Sequence, residues 1–91
     1  MEAKRYSRAA GISETEIDDG VFLVGRHSQD IFYLDGVCCG LWRLLRQPQT
    51  LAEIQTVVRA AFPEQPADRV ERDVAAALEE MLASGLLAVA A

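Results

Sequence analysis

Few residues in this chain are of types that do chemistry. There are two adjacent cysteines, Cys38 and Cys39, one histidine, His27, and two adjacent carboxylate pairs, Asp18-Asp19 and Glu79-Glu80. Neighbouring thiols raise three possibilities: a metal site, a redox pair or a reactive nucleophile. Structural zinc requires four ligands, usually as two closely spaced pairs, and a C-C pair with one distant histidine supplies too few. Thiol redox motifs use C-x-x-C. At i and i+1 of a helix the two sulfurs diverge, so a bond between them is strained. The cysteines therefore read as small apolar residues beneath a core. Cys38 shares a helical stripe with Leu41, Trp42 and Leu45, so Cys39 is expected to be the more exposed of the two.

His27 falls in a predicted loop, "GRHSQD", with no nucleophile elbow nearby, and reads as a solvated side chain. Adjacent carboxylates point to opposite faces of a strand, or about 100° apart on a helix, so neither pair forms an acid–base couple. Neither G-x-G-x-x-G nor a P-loop occurs. The expectation is a protein without catalytic residues, metal or cofactor.

The elements that would position a site follow from periodicity and punctuation. With 91 residues, half of them apolar, the chain suits one small domain with its own core. Residues 1–46 carry six basic and seven acidic side chains, residues 47–91 three and seven. That acidity argues against nucleic-acid phosphates as partners of the second half. "MEAKRYSRAAG" has no apolar stretch of the signal-peptide kind, and the apolar runs are too short to span a bilayer. A reducing cytoplasm is the expected setting, where a disulfide is not.

Residues 1–12 show no period and are expected to form a flexible N-terminal arm, ahead of a domain over residues 13–91. "SETEID" reads as a first strand, Asp19-Gly20 as a hairpin turn, "VFLV" (21–24) as a buried strand and "IFYL" (31–34) as a third. Asp35 is a candidate N-cap for a helix that ends near Gln47-Pro48. Thr50 and Glu53 form a T-x-x-E capping box. It opens a helix with Leu51, Ile54, Val57, Val58, Ala61 and Phe62 on its apolar stripe. After "PEQP", Asp68 and Glu71 are candidate caps of a third helix, with Val70, Val74, Ala77, Leu78, Met81 and Leu82 on its stripe. Gly85 suits the C′ position, and "LLAVA" beyond it an extended tail or a last half-turn. The order predicts an α+β domain: a three-stranded antiparallel sheet followed by three helices.

In this order and spacing, "DGVFLV", "YLDGVCCGLWRLL", "TLAEI" and "VERDVAAALEEMLASGLL" resemble the PqqD family, the pyrroloquinoline quinone biosynthesis protein D and its relatives, across residues 19–87. Asp19-Gly20 matches the family's turn. Leu34-Asp35 matches its L-N, Trp42 its helix tryptophan, and Thr50 and Ile54 its second-helix start. Asp73-Val74, Leu78, Met81 and Gly85-Leu86-Leu87 match its third-helix signature, and Cys38 and Cys39 fall where the family has glycine and alanine. "RQPQ" departs from the loop usual before the threonine.

The resemblance implies a small winged helix-turn-helix and a non-catalytic adaptor, or peptide chaperone. Such a RiPP recognition element binds the leader segment of a ribosomally made precursor peptide and presents it to a maturation enzyme. That enzyme is a radical-SAM enzyme, cyclase or leader protease, in PQQ biosynthesis, lasso peptide biosynthesis or other natural product biosynthesis. It also implies a groove between the third strand and the third helix. An edge strand offers unpaired backbone groups to which an extended peptide can add. The candidate peptide-binding residues are Asp30, Ile31, Phe32, Tyr33 and Leu34 on the strand, and Val70, Asp73, Val74, Ala77 and Leu78 on the helix. Asp30 and Asp73 are the candidate partners of a basic leader residue. Tyr33 is the aromatic best suited to a half-exposed place. A second copy pairing at the same edge would make a homodimer. The alternative is a winged-helix DNA-binding regulator; five acids against two bases from Asp68 to Ser84 speak against it.

Overall fold

The computed structural model describes residues 4–25 and 30–90; His27 lies outside the described residues. The strands are β1 (Arg5–Arg8), β2 (Ser13–Ile17), β3 (Gly20–Val24), β4 (Ile31–Leu34), β5 (Gln49–Thr50) and β6 (Leu87–Ala90). The helices are α1 (Gly36–Leu44), α2 (Leu51–Ala61) and α3 (Ala67–Ala83). The expected sheet-then-helices order is present as β2-β3-β4 followed by α1, α2 and α3. A second small sheet, ordered β5-β1-β6, joins it.

The β2–β3–β4 meander is antiparallel throughout. Ile17 lies opposite Gly20, Val21 opposite Leu34 and Val24 opposite Ile31. The hairpin therefore turns through Asp18-Asp19 rather than Asp19-Gly20. Asp18 takes the positive φ of 48° that such a two-residue turn demands. Gly20 is already in the strand, and its missing side chain serves a different purpose. A Cβ there would come within 2.6 Å of the Tyr33 ring, which lies across it. Val21 and Leu23 face the core and are fully buried, as the period of two requires.

Residues 5–8 depart from the expected arm by forming β1. Ser7 lies opposite Ala88 and Arg5 opposite both Thr50 and Ala90. Arg8 explains how so polar a strand is held. Its Nε donates to the Trp42 carbonyl at 2.9 Å, its guanidinium stacks 4.2 Å from the Trp42 ring centre, and it pairs with Glu14 at 3.3 Å. The Trp42 Nε1 donates to the same carboxylate at 3.1 Å. A cation over an indole face, tied to an anion, gives a charged residue a place beside the core.

The helices bury Leu41, Trp42 and Leu45, then Ile54 and Val58, then Val70, Val74, Ala77, Leu78 and Met81 in one cluster with Val21, Leu23 and Leu34. The order of exposure of the two cysteines is the reverse of the sequence reading: Cys39 is 2 % exposed and Cys38 is half-buried. Both fit a wide stripe centred near Trp42, and the packing around α1 decides between them. Asp35 occupies the N-cap position of α1, but its side chain makes no capping bond. The T-x-x-E box of α2 forms in full. Thr50 Oγ1 accepts from the Glu53 N–H at 3.2 Å, and the Glu53 carboxylate accepts from the Thr50 N–H at 2.8 Å.

The α2 stripe is narrower than its periodicity suggests, with Leu51, Val57 and Phe62 exposed and Ala61 exposed beside them. Helix α3 starts two residues earlier than expected, from Pro66 as N-cap, with Asp68 in its first turn and no side-chain cap. Proline suits that edge because its absent N–H is not needed there. Glu71, free of any capping role, meets Arg59 of α2 at 3.1 Å. At the other end Gly85 (φ 77°) closes a Schellman motif. The Gly85 N–H donates to the Leu82 carbonyl and the Leu86 N–H to that of Met81, both at 3.0 Å. The tail beyond is strand β6.

Candidate functional site: the open edge of strand β4

In the β2–β3–β4 sheet, β3 is central and, among the described residues, β4 pairs only with β3. Its free edge thus presents unpaired backbone donors and acceptors. The strand is short, apolar and uncharged. Ile31 is 66 % and Tyr33 50 % exposed, while Leu34 is buried and Phe32 packs against the core. The Tyr33 ring rests on Phe22 at 4.9 Å between centroids and over Gly20, which fixes its direction while leaving half of it in solvent.

A concavity of about 280 Å³ runs along β4. All four β4 residues and Asp35 line one side. The α1 start contributes Cys38, and the C-terminal part of α3 contributes Glu80, Met81 and Ser84, with Leu86 beyond. Apolar side chains and an open strand edge thus share one groove, the geometry that strand addition uses.

The α3 residues expected at this site lie elsewhere. Val70, Asp73 and Val74 line a separate concavity of about 140 Å³ with Val37, Val58, Phe62, Gln65 and Arg69. Leu78 lines one of about 250 Å³ beside Tyr6, Leu51 and Leu82. Ala77 is buried in the core, and Asp30 is exposed just ahead of β4. The reason is length. Four strand residues span about 13 Å, whereas the 17 residues of α3 span about 25 Å, so β4 can face roughly half the helix. Glu80, Met81 and Ser84 follow Ala77 at helical spacing, which places them on its face. That was the signal available for the missed residues; the sequence does not say which half of the face meets the strand.

The groove is acidic. The side-chain carboxylates of Asp35 and Glu80 have no hydrogen-bond or ion-pair partner among the described residues, whereas Glu14, Glu16, Glu53 and Glu71 each hold an arginine. The Cys38 thiol reports this field. Burial pushes its pKa up first, and the charges of Glu80 and Asp35, then Cys39, push it further. Such a thiol is a poor nucleophile at neutral pH. Among the described residues no group of three or more histidine, cysteine or acidic side chains is placed to hold a metal, and no helix is long and apolar enough to cross a membrane.

A small α+β domain with an uncharged strand edge bordering a helix groove has the features of a peptide-binding module. The comparisons are specific about which. The chain belongs to the family described as coenzyme PQQ synthesis protein D, whose model matches residues 20–87. Among solved structures it is similar to one described as "TbiB1 in Complex with the TbiA(beta) Leader Peptide". That match has a TM-score of 0.80 and 27 % identity, and covers 89 % of this chain and 93 % of the other. No curated protein matches the chain.

Proposed function

We propose that this protein is a non-catalytic adaptor, a peptide chaperone, that binds the leader segment of a ribosomally made precursor peptide and presents it to a maturation enzyme. The peptide adds as a strand to the free edge of β4 and lays alternate side chains into the groove between β4 and the C-terminal part of α3. The open, uncharged edge of β4 is the observation that carries this reading. The likeness to a protein solved with a leader peptide supports it.

The scaffold of this reading is a winged helix-turn-helix, with β1 held to the domain through Arg8. The acids of α3 make DNA the weaker alternative, because a helix entering the major groove meets phosphates on both sides. Two free cysteines suit a reducing cytoplasm.

The test is calorimetry against leader peptides encoded beside the gene, with hydrogen exchange read at residues 31–34. Saturable binding that protects the β4 amides is expected. Absence of saturable binding to every neighbouring leader would reject the reading, as would salt-sensitive DNA binding in its place. A concentration-dependent affinity would show a second copy competing for the same edge.

A further inference from the structure

We infer that the β4 groove selects a peptide carrying a lysine or arginine beside an apolar anchor, the cation held between Asp35 and Glu80. The inference rests on the strand-addition reading and adds to it the chemistry of the ligand.

Two carboxylates from different elements converge on one concavity, one from the β4–α1 junction and one from α3. Both are exposed, both lie near enough to Cys38 to act on its thiol, and neither carboxylate has a hydrogen-bond or ion-pair partner among the described residues. Asp35 stands where an aspartate ordinarily spends its oxygens on the first helical N–H groups, yet its side chain caps nothing and stays available. Glu80 sits near the C-terminal end of α3, where the helix dipole favours cations, and the last turn contains no basic residue. Among the described residues that line the groove there is no lysine or arginine to meet them.

The apolar partner of that cation is equally defined. Phe32, Met81 and Leu86 line the same groove and offer an aliphatic or aromatic side chain a place against the core. In an added strand, residues two apart face the same side, about 7 Å from one another. The favoured ligand thus places a basic residue opposite the Leu34–Asp35 end of β4 and an apolar residue two positions away.

The test is selection of a displayed library of random 12-residue peptides on the full chain, followed by affinities of synthetic winners. Enrichment of a lysine or arginine two positions from Leu, Ile, Val or Phe is expected. Changing that basic residue to glutamine should weaken binding at least tenfold. The Asp35→Lys/Glu80→Lys double variant should prefer the peptide with glutamate at that position; both sites are exposed, and circular dichroism confirms the fold. Winners that protect the β4 amides but show no basic preference, or a preference untouched by the charge reversal, would overturn the inference and leave strand addition standing. Winners that leave the β4 amides unprotected, or no winners at all, would overturn both.

Discussion

The sheet β2–β3–β4 has two outer strands, and they are built to opposite ends. β2 is exposed along its whole length and carries Glu14 and Glu16. Each is tied down: Glu14 by Arg8 and Trp42, Glu16 by Arg43 at 2.9 Å. Charges on an edge, held by arginines from neighbouring elements, discourage another chain from pairing there. β4 carries no charged side chain, has no such clamp among the described residues, and borders a groove. Natural sheets usually blunt their edges. One edge is blunted and the other left open and apolar, and the proposed peptide site rests on that contrast.

The comparison breaks most severely at Trp42, which holds β1, β2 and α1 together. Trp42→Ala should cost about 3–5 kcal/mol, a large part of the total stability of a small domain, in urea unfolding followed by circular dichroism. Glu14→Ala strips the acceptor from both Arg8 and Trp42 and should cost roughly 1–3 kcal/mol, with leader affinity unchanged. Loss of affinity without loss of stability would show that β2 takes part in recognition.

The β4 edge is tested by Ile31→Lys/Tyr33→Lys. The exposure of both residues predicts an unchanged fold, and calorimetry should show leader affinity reduced at least tenfold, about 1.4 kcal/mol. Thr15→Lys on β2 is the control and should do nothing. Equal effects of the two changes would erase the distinction between the edges.

Two smaller effects concern the supports of the site. The Glu53 carboxyl has a pKa below its ordinary value because it accepts from the Thr50 backbone and side chain, with Arg5 adding a weaker pull. A lowered folded pKa gives stability that is present above the unfolded value and lost as pH falls through the folded one. Wild type should therefore lose more Tm than Glu53→Gln between roughly pH 5 and pH 3. The Cys38 thiol, pushed up by burial and by Glu80 and Asp35, should alkylate slowly at neutral pH and faster in alkaline solution. Bound leader should slow it further, because Cys38 lines the groove.

Much of this was legible in the residues. The three strands read at 13–18, 21–24 and 31–34 appear at 13–17, 20–24 and 31–34, the first hairpin turning one residue early, and the capping box of α2 and the glycine closing α3 appear where their signals stand. The reading failed where one local pattern admits two outcomes. A stripe through Cys38, Leu41, Trp42 and Leu45 is compatible with Cys39 buried in place of Cys38. An aspartate before a helix either caps it or turns outward, as Asp35 does. The apolar face of α3 runs the length of the helix, and no local signal says whether Asp73 or Glu80 faces the strand.

The sequence by itself determined the strands β2, β3 and β4, the three helices and their order, because propensity, capping and turn chemistry act over one turn or less. The tertiary structure alone decided that Arg5–Arg8 is a strand, since its partners at Gln49–Thr50 and Leu87–Ala90 are far along the chain and its anchor is the face of Trp42. It also decided which carboxylates meet in the groove. A four-residue strand covers half of a longer helix, and the half it covers depends on how the sheet packs on α1 and α3, a long-range outcome that no local signal encodes.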